Sequence, residues 1–163
     1  MNDKATKILG IDPGTAILGW GLIEKQGSKI IPLKYGCVET TSDQPMPERL
    51  AKIYKVLSDI IERERPDHVA VEEIFYFKNE KTIITVAQAR GVAVVCAENH
   101  GLPVYEYTPL QVKQALTGYG RADKNQVQEM VKITCSLDHR PKPDDAADAL
   151  AVAICHAQTN QQS

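Results

Sequence analysis

The stretch KILGIDPGTAILGWG, Lys7 to Gly21, places one aspartate, Asp12, at the end of an apolar run and directly before Pro13-Gly14. An isolated carboxylate is costly to bury unless it is paired or bound to a cation, so this position needs a cause. One cause is local: Asp12 opens a tight turn whose central residues are Pro13 and Gly14. The other is distant, and requires the fold to bring further carboxylates to the same place.

Short apolar runs at Thr6 to Ile11, Leu18 to Glu24 and Lys29 to Glu39, divided by Pro13-Gly14 and Gly27-Ser28, predict three consecutive antiparallel strands. From Met46 the period changes. Met46, Leu50, Ile53, Leu57, Ile60 and Ile61 recur at helical spacing until Pro66 ends the pattern. DHVAVEEIF then reads as a strand, Lys81 to Asn99 as a long helix and LPVYEYT as a short strand. Thr108-Pro109-Leu110-Gln111 has the form of a capping box, which starts a helix running to about Gly118. Two more helices are expected, near Lys124 to Leu137 and Asp145 to Thr159. The order βββαβαβααα predicts an α/β fold. Its mixed five-stranded sheet has three antiparallel strands extended by crossover strands, with helices covering both faces.

A chain of 163 residues suits one domain, expected over 1–158 with a polar tail at 159–163. With 43% hydrophobic and 25% charged residues the composition is that of a soluble protein, and no apolar run reaches membrane-spanning length. The N-terminus has no signal-peptide layout, so a cytoplasmic protein is expected. The four cysteines are widely spaced, which predicts buried, reduced thiols and no zinc or dithiol motif. A net charge of −2 is unlike that of a simple nucleic-acid coat protein, although bound divalent cations would reverse its sign. The four histidines have no ligand-like spacing and no serine sits in a nucleophile elbow, so covalent catalysis has no support.

Besides Asp12, acidic residues in apolar or alanine-rich surroundings occur at Glu72/Glu73, at Asp144/Asp145 and at Asp148. The strand alternation in HVAVEEI puts Glu72 on the face of Ala70 and Glu73 on the face of Val69 and Val71. In DDAADALAVAICHA, either Asp144 or Asp145 shares a helix face with Asp148. A helix N-terminus attracts anions, which alone accounts for one or two of these aspartates. Converging carboxylates repel one another, and hard divalent cations relieve that repulsion. A cluster of three or four carboxylates with no His/Cys set therefore points to Mg²⁺ or Mn²⁺, and its commonest chemistry is two-metal phosphodiester hydrolysis.

GIDPGT, GWGLIE, AVEEIFYFKN, AQARGVAVVCA, QVKQALTGYGRADKNQVQ and DDAADALAVAICHA, in this order from Lys7 to His156, closely resemble the RuvC family of Holliday-junction resolvases. The resemblance implies an RNase H-like fold and a homodimeric, Mg²⁺-dependent endonuclease that nicks two strands symmetrically across a four-way DNA junction. It implies Asp12, Glu72, Asp145 and Asp148 as catalytic and metal-binding residues, leaving Glu73 and Asp144 outside that set. It also implies that Phe75 lies at the junction centre and helps unstack bases, that Lys113 and Lys124 lie near the DNA backbone, and that a RuvAB branch-migration complex is a partner. Lys78, Lys81, Arg90 and Arg121 complete a discontinuous candidate phosphate-binding surface. Small and apolar residues around the helix containing Ala87, Gly91 and Ala97 suit a dimer seam.

Two rival readings are an actin-like or sugar-kinase type phosphotransferase, which shares the DPGT turn, and a branched-DNA binding protein that does not cut. The first needs a second, similar half for which 163 residues leave no room. The second would be marked by loss of a catalytic carboxylate.

Overall fold

The computed structural model describes residues 4–73 and 80–159, apart from the side chains of Glu80 and Lys81. Strands β1 (Thr6–Asp12), β2 (Ile17–Gln26) and β3 (Lys29–Glu39) are followed by helix α1 (Met46–Glu64), β4 (His68–Glu72) and α2 (Glu80–Asn99). Then come β5 (Val104–Tyr107), α3 (Pro109–Thr117), α4 (Lys124–Thr134) and α5 (Asp144–Thr159). The sheet order is β3-β2-β1-β4-β5, with β1–β2 and β2–β3 antiparallel and β1–β4 and β4–β5 parallel. This is the expected mixed sheet.

Strand alternation sorts the core into two halves. Ile8, Ile23 and Ala70 face α3, α4 and α5, while Leu9, Ile11, Leu22, Val69 and Val71 face α1 and α2. Helices therefore cover both faces. On α1, Ile53, Leu57, Ile60 and Ile61 form the buried stripe, and the helix ends where Arg65 turns left-handed ahead of Pro66. The edge strand β3 carries Pro32 beside a register irregularity, where a missing donor is tolerated.

The anticipated capping box at α3 is present, with the Thr108 hydroxyl accepting from the Gln111 N–H and the Gln111 side chain accepting from the Thr108 N–H. A second box, Asp123 with Gln126, starts α4 and was not anticipated from the sequence. Strand β1 reaches Asp12, one residue beyond the expected end, because Asp12 still pairs with Gly19. Helix α5 begins at Asp144, one residue early, and α4 stops at Thr134, three residues short of Leu137.

Helix α5 is buried along most of its length, and its last histidine, His156, is fully buried. His156 Nε2 lies 2.9 Å from His68 Nδ1 and His156 Nδ1 lies 2.5 Å from the Tyr107 hydroxyl. One proton per contact satisfies this chain when His156 is neutral. Burial, then the neighbouring His68 and Lys25, push its pKa from 6.5 down to about 4. The unfolded chain binds this proton more readily than the native one, so His156 favours the fold above pH 6.5 and ceases to as pH falls towards 4. The expected loss is on the order of 2 to 3 kcal/mol. Urea unfolding at several pH values should show His156→Gln losing less stability than wild type over this interval; parallel curves would contradict it.

Candidate active site

Strands β1 and β4 are parallel neighbours with Ile11 opposite Val71, so Asp12 and Glu72 end adjacent strands at the same edge of the sheet. Both follow the strand face of Gly10 and Ala70, which looks towards α5. The alternation assigns Glu73 to the opposite face, and its backbone N–H donates to the Tyr107 carbonyl at 2.7 Å. The first turn of α5 carries Asp144, exposed, and Asp145, partly buried, with Asp148 one turn on and also partly buried. Two strand ends and one helix N-terminus thus bring together Asp12, Glu72, Asp145 and Asp148.

Their electrostatics bear this out. Asp12 is held well above the usual carboxylate range by burial first, then by the charges of Glu72, Asp148 and Asp145. Glu72 is also raised by burial, against which a hydrogen bond from Asp12 and the charges of Lys113 and Lys124 work. Asp12, the more strongly raised of the two, is the one that holds a proton more readily and donates towards Glu72. Asp148 is raised by burial, opposed by Lys124, whose ammonium lies 3.4 Å from its carboxylate. For Lys124 burial works against the charge, but the attraction of Asp148, Asp144 and Asp145 outweighs it and the pKa rises.

Among the described residues no three acidic, histidine or cysteine side chains form a preassembled ligand shell. The Lys124 ammonium against Asp148 offsets part of the carboxylates' charge. The donors nevertheless fit a hard divalent cation, being carboxylate oxygens without thiolate or imidazole. The Cys37 thiol, which feels the charges of Asp145 and Asp12, is pushed up to about 11 by burial, then by Asp145 and Glu39.

A cleft of about 330 Å³ opens beside the carboxylates, lined by Glu72, Asp148, Lys113, Lys124, Val112 and Ala122. Lys113 and Lys124 therefore face the acidic group across one cavity. Arg121 is exposed on the loop between α3 and α4. Arg90 is turned elsewhere and pairs with Glu106 on β5. Phe75 and Lys78 lie outside the described residues, as does the side chain of Lys81.

The sequence reading missed Thr15. Its buried hydroxyl donates to the Thr85 carbonyl of α2 at 2.6 Å, while its own carbonyl accepts from the Thr40 hydroxyl at 2.5 Å. The Arg49 guanidinium in turn donates to Thr40 at 2.8 Å. The turn after Asp12 is tied by these bonds to α1 and α2. Gly14 is needed within it, since a Cβ there would stand 2.2 Å from the Ile17 carbonyl oxygen. A buried threonine following DPG was the available signal, but its partner is 70 residues away.

The sheet order and the carboxylates gathered at the ends of β1 and β4 under an acidic helix start define an RNase H-like nuclease. The family model "Crossover junction endodeoxyribonuclease RuvC" matches residues 8–156. The chain belongs to the RuvC family, and it is an endodeoxyribonuclease. It is 59% identical to RuvC of Desulfitobacterium hafniense over 152 residues, covering 93% of this chain and 92% of that protein. RuvC of Caldanaerobacter subterraneus is 55% identical over 154 residues, with 94% and 93% covered. The solved structure of Thermus thermophilus RuvC in complex with Holliday junction substrate superposes with a TM-score of 0.91 at 39% identity, covering 96% of each chain. The yeast mitochondrial Holliday junction resolvase Ydc2, at 15% identity and a TM-score of 0.71 over 96% of this chain and 81% of its own, shares the fold.

Without metal the crowded carboxylates oppose folding. Asp12→Asn keeps a donor towards Glu72 while removing a carboxyl whose ionisation the fold disfavours, so it should raise the stability of the metal-free protein by about 1 kcal/mol and abolish stabilisation by Mg²⁺. Thermal melts with and without Mg²⁺ test both; a metal-free melting temperature below wild type would contradict the charge argument.

Proposed function

We propose that this chain resolves four-way DNA junctions by paired, symmetric nicks, in the service of recombination and repair. The observation that carries the reading is the meeting of Asp12, Glu72, Asp145 and Asp148 from three elements beside a cleft whose other wall bears Lys113 and Lys124. These carboxylates would hold two divalent cations, Mg²⁺ with Mn²⁺ as a substitute. Such ions, when bound, activate the attacking water and stabilise the leaving oxygen. Asp12 and Glu72 orient that chemistry from rigid strand ends, and Asp145 and Asp148 oppose them from the helix. Lys113 and Lys124 neutralise phosphate charge in the cleft, and Lys124 leaves Asp148 as it does so. Phe75, directly after the Glu72 strand, would insert at the junction centre and unstack bases. Arg121, Lys78 and Lys81 are proposed to steer the DNA arms, whereas Arg90 would reach DNA only by giving up Glu106.

Paired nicks need two active sites, and the apolar face of α1 and α2 suits a second copy of this chain. Leu50, Tyr54, Gly91, Val92 and Val95 line a shallow hollow there, and Ile84 and Val95 are exposed at 65% and 53%. The nuclease domain is taken as 1–158, acting in the cytoplasm with a RuvAB-type branch-migration complex. Among the described residues no helix is long and apolar enough to cross a membrane.

The direct test is metal-dependent cleavage of a synthetic four-way junction against linear duplex of the same sequence. Wild type should cut the junction alone, and Asp145→Asn should bind it without cutting, with activity reduced at least a hundredfold. Cleavage by that variant at the wild-type rate would overturn the mechanism. For the dimer, Val95→Glu should sediment as a monomer and lose paired nicking while retaining its metal-induced rise in melting temperature; an unchanged dimer would place the seam elsewhere.

A further inference from the structure

We infer that Gly19 is a positioning residue for the metal site: its missing side chain lets the backbone of α5 settle onto β2 beside Asp12 and so sets the distance between Asp12 and Asp145. The inference rests on the metal-nuclease reading and goes beyond it, since Gly19 itself offers no ligand. In the β1–β2 ladder Gly19 is the residue opposite Asp12. A Cβ built on Gly19 would stand 1.9 Å from the carbonyl oxygen of Asp145, 2.4 Å from its carbonyl carbon and 3.1 Å from its Cβ. The residue that touches this bare backbone is therefore itself one of the four carboxylates.

Neighbouring glycines separate a general packing role from this one. At Gly10 a Cβ would meet the Ala149 carbonyl oxygen at 2.1 Å, one turn further along α5 and away from the acidic end. At Gly21 the nearest atoms are Cγ and Cδ2 of Leu150, at 2.7 Å, and the helix backbone is further off, with the Leu150 nitrogen at 3.1 Å. Against Gly19 and Gly10 the obstacle is helix backbone, which moves only as a unit.

Ordinary Cβ contacts lie beyond 3.4 Å, so an alanine at 19 must displace the start of α5 by more than an ångström. Mg²⁺ tolerates about 0.2 Å around oxygen distances of about 2.0 to 2.1 Å. A shift of that size takes Asp145 out of reach of an ion shared with Asp12. One extra methylene on the carboxylate would span most of the gap.

The test is calorimetric binding of Mg²⁺ to the folded protein without DNA, with metal-induced melting shifts as a second readout. Gly19→Ala should weaken Mg²⁺ binding at least tenfold, Gly10→Ala by about threefold and Gly21→Ala by less than twofold, in an order that need not follow their melting temperatures. Asp145→Glu, harmful in the wild-type background, should recover at least threefold of the affinity lost in Gly19→Ala. Mg²⁺ affinity within twofold of wild type in Gly19→Ala, or losses that track stability alone, would overturn the inference. Should Gly19→Ala not fold, Gly10→Ala against Gly21→Ala decides, and equal Mg²⁺ affinities overturn it. Failure of the wild type to bind Mg²⁺ would instead strike at the functional reading, and is told apart by occurring before any substitution.

Discussion

Contact between the backbone of α5 and the bare backbone of β1 and β2 is the constraint from which the candidate active site follows. A helix packed on a sheet is normally held off by side chains on both surfaces. Here Gly10, Gly19 and Gly21 supply one surface and the alanines of α5 much of the other. The close approach brings a helix N-terminus level with the ends of β1 and β4. Two pairs of carboxylates, far apart in the chain, then occupy one volume.

That closeness carries an electrostatic cost, and the chemistry depends on it. Burial and mutual repulsion raise Asp12, Glu72 and Asp148, and the Lys124 ammonium lies against Asp148. Under the proposed function, cations that prefer oxygen ligands would take over this charge balance. Lys124 would then be available to phosphate in the cleft it lines with Lys113. The remote end of α5 has the opposite character: His156 is buried neutral among Tyr107, Tyr105 and His68 and anchors the helix without charge.

Much of this was legible in the residues. Hydrophobic period gave the strands and helices, because each element has one face committed to the core, and the two-residue alternation put Glu72 and Glu73 on opposite faces, although choosing Glu72 between them needed the family resemblance. Choosing Asp145 over Asp144 needed the family resemblance, since both lie within a turn of Asp148. What stayed hidden depends on partners distant in sequence. Gly19 reads as an ordinary strand glycine until Asp145 lies across it, and Thr15 as a turn residue until Thr85 accepts its proton. Arg90 reads as a free cation until β5 presents Glu106. The expectation for Phe75 falls outside the described residues.

The central claim is that the four carboxylates form one repelling group whose charge a hard cation relieves. Carboxylates whose native pKa lies above the unfolded value keep their protons to higher pH in the fold, so ionising them costs stability as pH rises through that value. The most direct measurement is the rise in melting temperature produced by Mg²⁺ as a function of pH. His156 contributes equally to both arms of that comparison. The rise should be small under acid conditions and grow towards neutral pH as Asp12, Glu72 and Asp148 lose their protons. A rise independent of pH, or none at neutral pH, would contradict the account.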